Sequence, residues 1–595
     1  MVTPATPRPS PAQDWARAMA ASALVLRRPD VTLADLVAEQ AAAGGDRVAL
    51  LGIDGVRTYA DLAAGIARYA RWGRALDLGP GGRIALLMPN DLDYVAIWLG
   101  LTRAGLVVAL VNANLVGASL AHAVAVSEAS HVIVAAALTP ALAEALTGDP
   151  VRRGIWHHGG GDGPRVDIAA AVLSGADLTG QEWPPPASHE TALLIFTSGT
   201  TGLPKAARVS HRRILEWSLW FAGLLDITPE DRMYLCLPMF HSVGGVVATG
   251  APLARGGSVV IRERFSASRF WPDVAATGAT LFQYIGEVCR YLVAAPPDPA
   301  EANHRLRLCV GNGLGEATWR AFARRFPDLR VLEFYASTEG NLSLYNVEGE
   351  VGAVGRVPPL LAARFPLLLI RLDPCTGEPR RGADGLCLPC EPDEPGEALG
   401  LIASDAEPGG RPFEGYTGDE DTARKTLRDV RSRGDRWFRT GDLMRRDARG
   451  FVCFVERIGD TFRWKGENVA TGEVSAVLHA VPGVIDAAVF GIAVPGHEGR
   501  AGMAVLATIS DFAMDDLPRL LAAQLPPAAV PVFIRIVPTI PVTGTYKHAV
   551  GDLRARGFDP GQSTDPLYVM DRKQCRYLRL DRALYEIIQG GRRAL

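Results

Sequence analysis

The 595-residue sequence has no excess of either charge: 62 Lys and Arg stand against 65 Asp and Glu, a formal net charge of −3. A nucleic-acid binder needs a basic footprint, so nucleic acid is excluded as the main partner. No clean apolar run reaches the roughly 20 residues that span a bilayer. The stretch from Val95 to Val111 comes nearest, but Arg103 and Gly105 interrupt it, and it reads as a buried helix turning into a core strand. The run from Ala18 to Leu26 is shorter still. Cysteine is sparse and scattered, eight in the chain. No secretory leader is recognised before them, so reduced thiols in a cytoplasmic protein are expected. Cys387 and Cys390 have CxxC spacing with Cys375 upstream, yet no second pair follows at zinc spacing. A structural thiol pair is therefore favoured over a metal or redox site. Internal repeats and low-complexity tracts are missing too, which excludes solenoids and arrays.

What is present is the composition of a soluble globular protein, 48% hydrophobic and 21% charged, in a chain of several domain lengths. From Val31 to Val134, helical patterns (Leu33 to Gln40, Tyr59 to Trp72) alternate with short apolar strands (Val48 to Leu51, Arg83 to Met88, Val107 to Val111). Such alternation predicts an α/β domain with a mostly parallel sheet. A Gly- and Pro-rich loop runs from His157 to Pro186, and a second α/β series starts at Leu193 and continues through Ile285, Leu308 and Leu332. Between Pro374 and Gly418 short strands and turns are expected. After Gly459 the pattern changes to that of a small α+β unit: helices over Glu473 to His479 and Leu517 to Leu525, strands over Ala487 to Ile492 and Met503 to Ile509. The expected organisation is a disordered or loosely packed stretch over 1–30, a large N-terminal domain over 31–458 with a small β-rich part, and a C-terminal domain over 459–595.

The most informative string is the apolar strand from Leu193 that runs into TSGTTGLPK at 197–205. Glycines let backbone N–H groups turn inward, hydroxyls add donors, and Lys205 adds positive charge, which together make a phosphate cradle. The order Leu-Pro-Lys after Gly202 is not that of a Walker A loop. The bland alternative is a Ser/Thr/Gly-rich surface loop.

That string resembles the phosphate loop of the adenylate-forming superfamily of acyl-CoA synthetases, luciferases and peptide-synthetase adenylation domains. Three further segments match in order: EFYASTEG at 333–340, RTGD at 439–442 and PVTGTYK at 541–547. The resemblance runs from about Val31 to Pro566. RIGDTFRWKGENV at 457–469, together with SASRFW at 266–271, YIGE at 284–287 and GNG at 311–313, is similar to the very-long-chain acyl-CoA synthetase, or fatty-acid transport protein, branch.

The resemblance implies a large AMP-binding domain followed by a small mobile domain, with ATP, Mg2+ and coenzyme A as cofactor and co-substrates. Thr197, Ser198, Gly199, Thr200, Thr201, Gly202 and Lys205 are implied to hold the β- and γ-phosphates. Tyr335 would stack on adenine, Thr338 would contact the α-phosphate, and Glu339 would hold Mg2+, an ion that takes few protein carboxylates and binds phosphate oxygens readily. Asp442 would accept both ribose hydroxyls, and Arg457, fifteen residues on, would support the ribose. Lys547 would reach the substrate carboxylate and the α-phosphate, stabilising charge as the acyl oxygen attacks phosphorus. His241 matches an aromatic gate beside the acyl and pantetheine channels, with a core or cap histidine as the rival reading. The helix after it, with Gly244, Gly245 and Val247, is expected to line the acyl tunnel and leave room for a long chain. Lys465 and Gly466 would face the thioester-forming site after a domain rotation about Gly459. Two positions depart from the wider superfamily: Glu456 precedes Arg457 where Asp is common, and Gly459 stands where Asp or Lys is common. The expected activity is long- or very-long-chain fatty acyl-CoA synthesis by way of acyl-AMP, coupled or not to fatty-acid uptake, on the inner face of a membrane or free in the cytoplasm. The alternatives are an acyl-AMP ligase serving a carrier protein and a non-catalytic lipid uptake protein. Intact Lys205, Glu339, Asp442 and Lys547 argue against the last.

Overall fold

Apolar strands that alternate with amphipathic helices cannot bury both faces of a sheet unless the helices cover them, and this chain folds accordingly. The computed structural model describes residues 10–53, 55–149, 153–159, 166–167, 185–198, 204–373, 376–403, 413–458, 462–465, 467–469, 471–497, 499–543 and 548–590. They divide into two compact units, the first formed by 1–366, 400–428 and 436–438, the second by 367–399, 429–435 and 439–595.

The first unit holds two large sheets. One has seven strands, with Arg83–Leu87 and Val107–Leu110 at its centre and the antiparallel hairpin Thr191–Ser198/Pro204–Ser210 at one edge. The other has eight strands; Arg232–Leu235, Leu281–Ile285, Leu308–Asn312 and Arg330–Ala336 run parallel, and Ser343–Asn346 closes that edge antiparallel. Long-range parallel pairing of this kind is what the sequence pattern predicts. The interrupted apolar stretch also folds as expected: Leu92–Arg103 is a buried helix, Gly105 turns the chain at φ 80°, and Val107–Leu110 enters the sheet. No helix among the described residues is long and apolar enough to cross a membrane.

The expectation of a loosely packed stretch over 1–30 is corrected for its described part. Residues 11–22 form a helix whose Ser10 and Gln13 make a reciprocal capping box, a device that starts a helix by satisfying its free N–H groups. Its Trp15 and Ala18 are core residues, and Asp14, fully buried, is ion-paired with Arg17 and Arg330. The prolines before it marked a helix start.

The second unit contains strands Phe451–Arg457 and Leu367–Ile370 with most of Arg436–Arg446 and Gly396–Leu401, the hairpin Phe462–Trp464/Glu467–Val469, and a five-stranded sheet from Val484–Ile492 to Arg576–Arg579. The latter is covered by helices Thr471–His479 and Leu517–Gln524, as the α+β pattern predicts, around a core drawn from residues 462–588. The expected boundary at 458 falls inside this unit, just after strand Phe451–Arg457. Cys387 is buried and Cys390 half-buried. Burial pushes both thiols up, Cys390 to about 11, which makes them poor nucleophiles.

Candidate active site

In open α/β sheets, ligands bind beyond the carboxyl ends of the strands. The residues singled out in the first unit gather there: Thr197 and Ser198 end one strand, Tyr335 stands one residue before the end of another, and His241 follows Arg232–Leu235 by a short turn. Asn90, just past strand Arg83–Leu87, is tied to the turn that leads to His241. Its amide donates to the carbonyls of Leu237 (2.8 Å) and Arg262 (2.9 Å) and its oxygen accepts from the Met239 N–H (2.7 Å).

Thr197 and Lys205 face each other across the hairpin register. The hairpin continues directly into helix His211–Leu224 because Ser210 is its N-cap. A distant segment then docks on it. Tyr416 bridges to Ala207, the Arg208 N–H donates to the Gly415 carbonyl, and the Thr417 N–H donates to the Ala206 carbonyl, both at 3.0 Å. Glu414 accepts from the N–H and hydroxyl of Ser210, both at 2.7 Å, and pairs with the buried Arg213 at 3.4 Å. Arg213 in turn donates to the backbone carbonyls of Thr338 and Glu339.

Tyr416 is the hub. Only 3% exposed, its hydroxyl donates to Glu339 Oε1 at 2.9 Å and is hydrogen-bonded by Thr197. Burial, followed by the adjoining Glu339 carboxylate, holds the phenol well above its usual range, so it stays a donor. The Lys205 ammonium lies 6.0 Å above its ring centroid and pairs with Asp421 at 2.8 Å. Thus Thr197 and Lys205 from one motif and Glu339 from another meet around one side chain. A carboxylate has room for several partners, so Glu339, with one oxygen engaged by Tyr416, fits the donor chemistry Mg2+ requires. The Thr338 hydroxyl lies 2.9 Å from that of Ser242, joining the glutamate segment to the turn after His241.

The expectation for the glycines after His241 is corrected. A Cβ on Gly244 would lie 2.4 Å from the Pro238 carbonyl oxygen, and one on Gly245 1.9 Å from that of Met239. Their missing side chains admit the neighbouring backbone, so the space a Cβ would take at these two positions is already filled. Val247 is buried. His241 itself is half-buried, with its carbonyl accepting from the Gly245 N–H at 2.6 Å.

Sequence reasoning also passed over Glu333, two residues before Tyr335. It is 1% exposed, accepts from the Tyr284 hydroxyl at 2.6 Å and the Leu314 N–H at 3.0 Å, and burial pushes its carboxyl up to about 7. Gly286 lets its backbone approach Gly313, where a Cβ would sit 1.8 Å from the carbonyl oxygen. The YIGE, GNG and EFY strings therefore converge on one buried carboxylate.

In the second unit, Asp442 and Arg457 are cross-strand partners, and the Arg457 Nε donates to Asp442 Oδ1 at 3.0 Å. Asp442 is nearly fully buried; its N–H donates to Thr440 Oγ1, and the Thr440 hydroxyl donates to the Ala398 carbonyl. Buried Glu397 clamps Arg439 from 2.7 Å, completing the RTGD strand from a side the motif does not reveal. Lys465 stands exposed beside the hairpin pair Trp464/Glu467, at φ 51° and with its ammonium 5.8 Å from the Trp464 ring. Gly199, Thr200, Thr201, Gly202, Gly459, Gly466 and Lys547, and the side chain of Ser198, lie outside the described residues.

A profile of the AMP-binding enzyme family matches residues 37–378, and one of the AMP-binding enzyme C-terminal domain matches residues 473–547. Long-chain fatty acid transport protein 3 of Mus musculus is 42% identical over 533 residues, covering 88% of this chain and 79% of that protein. Long-chain fatty acid transport protein 1 of Homo sapiens is 39% identical over 547 residues, covering 90% and 84%. The solved structure of a benzoate CoA ligase from Burkholderia xenovorans shares the fold, with a TM-score of 0.72 at 21% identity over 88% of this chain and 100% of that one. With that profile, those relatives and the convergence of Thr197, Lys205 and Glu339 on Tyr416, the chain belongs to the adenylate-forming AMP-binding enzymes, ligases that use ATP, in the branch of the long-chain fatty acid transport proteins.

Proposed function

We propose that the chain is a long- or very-long-chain fatty acyl-CoA synthetase. In the first half-reaction a fatty carboxylate oxygen attacks the α-phosphorus of ATP; the acyl–phosphate bond forms, the bond to the β-phosphate breaks, and pyrophosphate leaves. In the second, the coenzyme A thiol loses its proton, attacks the acyl carbonyl and expels AMP. The first step brings two anions together, so positioned positive charge and fixed donors carry it.

The observation that carries this reading is the cluster of Thr197, Lys205 and Glu339 around Tyr416, a hydroxyl, a cation and a carboxylate at the strand ends. In this reading the 197–205 segment, including Ser198, Gly199, Thr200, Thr201 and Gly202, holds the β- and γ-phosphates with Lys205. Thr338 contacts the α-phosphate, and Tyr335 stacks on adenine. Glu339 holds Mg2+, which neutralises phosphate charge when bound. Asp442, oriented by Arg457, accepts from the ribose. Lys547 serves adenylation; Lys465 and Gly466 serve thioester formation after residues 459–595 turn about Gly459. His241 guards the acyl side.

The name of the transport-protein relatives supports a long fatty acid as the acid. The sequence runs from Gly459 to Val469 with no insertion to block the rotated state, which supports coenzyme A over a carrier protein as acceptor. Uptake would follow from trapping the acid as a charged thioester, with the enzyme attached peripherally at the inner face of the membrane. Mass spectrometry of a reaction with palmitate, ATP, Mg2+ and coenzyme A tests the reading. Palmitoyl-CoA and AMP are expected in equal amounts; palmitoyl-AMP accumulating unchanged by coenzyme A would overturn it.

A further inference from the structure

The seven-stranded sheet has a second open end, opposite the one described above. Thr197 stands where its strand finishes, whereas Arg83, Val107 and Thr191 each begin theirs. Helix Gly117–Ser127 covers one face of this sheet, its Leu120 and Val124 packed with Ala85 and Ala206, and it stops at its C-cap, Glu128. Strand alternation puts Arg83 on the face of Ala85 and Arg208 on the face of Ala206. Arg83 is in register with Val107 and Arg208 with Leu194, so the two arginines flank a short apolar floor. Above that floor lies a cleft of about 330 Å³, with Glu190 and His211 completing its rim. Small-molecule sites begin at roughly 300 Å³.

The polar groups of this cleft are uncommitted. The Arg208 side chain has no ion-pair or hydrogen-bond partner among the described residues. Arg83 reaches Glu128 at 2.7 Å and the Ser127 carbonyl at 3.4 Å through the same nitrogen, Nη1, which leaves its other N–H groups for a ligand. His211 is only 4% exposed, yet its imidazole has no hydrogen-bond partner among the described residues. Burial holds that imidazole down at about 4, against the pull of Asp35, so it is neutral and offers one N–H and one lone pair. Leaving such a group unpaired in a buried place is costly, and a ligand would remove the cost. A guanidinium is a planar fork that suits carboxylate and phosphate oxygens. Glu190 on the rim and Asp35 near His211 disfavour a second negative group.

We infer that this cleft is a binding site, separate from the ATP site, for a small organic anion. One oxyanion group meets Arg208 and Arg83, a compact apolar body rests on Val107 and Leu194, and His211 hydrogen-bonds a polar atom of the ligand. Carboxylates and phosphate monoesters share the recognised chemistry.

The test titrates the full chain with benzoate, phenyl phosphate and benzyl alcohol, which carry one ring and differ in the polar group. Calorimetry reads affinity, and the His211 imidazole signal in a heteronuclear NMR spectrum, assigned with His211→Gln, reads the place. The wild type should bind at least one of the two anions, with the His211 signal moving, and should not bind benzyl alcohol. Which anion binds decides between carboxylate and phosphate. Arg208→Gln should weaken that binding about 10- to 100-fold, the worth of a charged hydrogen bond. Thermal midpoints are measured beside it, and Arg83→Gln repeats the test should Arg208→Gln melt early. Both anions also suit the ATP site, so Lys205→Ala is titrated in parallel and should bind as the wild type does. The inference is overturned if the wild type binds neither anion, if the His211 signal stays still, or if benzyl alcohol binds equally well. Binding unchanged in both arginine variants, or lost equally in Lys205→Ala, overturns it too.

Discussion

Lys205 and Lys547 are the two cations assigned to the ATP-dependent step, and the described chain beside each is tied by different means. Lys205 sits inside a hairpin, in register with Thr197, with Asp421 on its ammonium, Tyr416 under it, and the 415–417 backbone docked along its strand. Lys547 lies outside the described residues; next to it, His548 bridges to Val542 and its imidazole lies 3.1 Å from Asp486. A permanently built wall suits a group that meets phosphates in every turnover. The difference teaches that Lys205 is fixed by backbone pairing, whereas the residue beside Lys547 is fixed by a side-chain contact.

The sharpest way to break this comparison is to remove each lysine. Lys547→Ala should cut acyl-AMP formation by about 10²- to 10³-fold while supplied acyl-AMP is still converted to the thioester. Lys205→Ala should instead act largely through ATP, raising its KM about 10- to 100-fold, the worth of a charged hydrogen bond to phosphate. Stopped-flow pyrophosphate release at varied ATP separates the two. A pure kcat defect in Lys205→Ala would contradict the phosphate role.

A smaller effect is expected at the wall itself. Tyr416→Phe keeps the ring under Lys205 and deletes the hydroxyl that orients Glu339. The Mg2+ concentration for half-maximal pyrophosphate release should rise about 10-fold, as for other partners of metal ligands. An unchanged Mg2+ dependence would remove Glu339 from the metal or Tyr416 from its support.

The smallest effect is a pH-dependent one on stability at Glu333. Its folded carboxyl, pushed to about 7, binds a proton that an unfolded one releases near its ordinary value of 4.5. Between those values the unfolded state binds fewer protons, so the stability Glu333 contributes falls as pH rises and levels off above about 7. Glu333→Gln, which has no such proton, should therefore gain on wild type from pH 5 to 7.5, by about 3 kcal/mol at most. Thermal melts of the pair across that range check it, and parallel curves would refute the burial argument.

The parts of the fold that repeat locally were legible. Strand-helix alternation, the Gly105 turn and the α+β character after residue 459 all follow from periodicities within a dozen residues. The motif strings were legible as well, because backbone turns and phosphate donors must be contiguous. What tied them together was not. Tyr416 reaches Glu339 across 77 positions and Glu414 reaches Ser210 across 204, and no local pattern in a turn-rich stretch announces such partners. The glycines after His241 misled for a related reason: in sequence a small residue means space, and only the fold shows that Met239 and Pro238 fill it. The helix over residues 11–22 was hidden by its own prolines, although Ser10 and Gln13 carried the capping signal.

The central claim is tested most directly by measuring pyrophosphate release from ATP across saturated fatty acids of graded length, with and without coenzyme A. The account predicts release that grows with chain length into the long-chain range and turns over repeatedly only when coenzyme A is present. Release from no fatty acid of any length, or release that coenzyme A leaves unchanged, would contradict it.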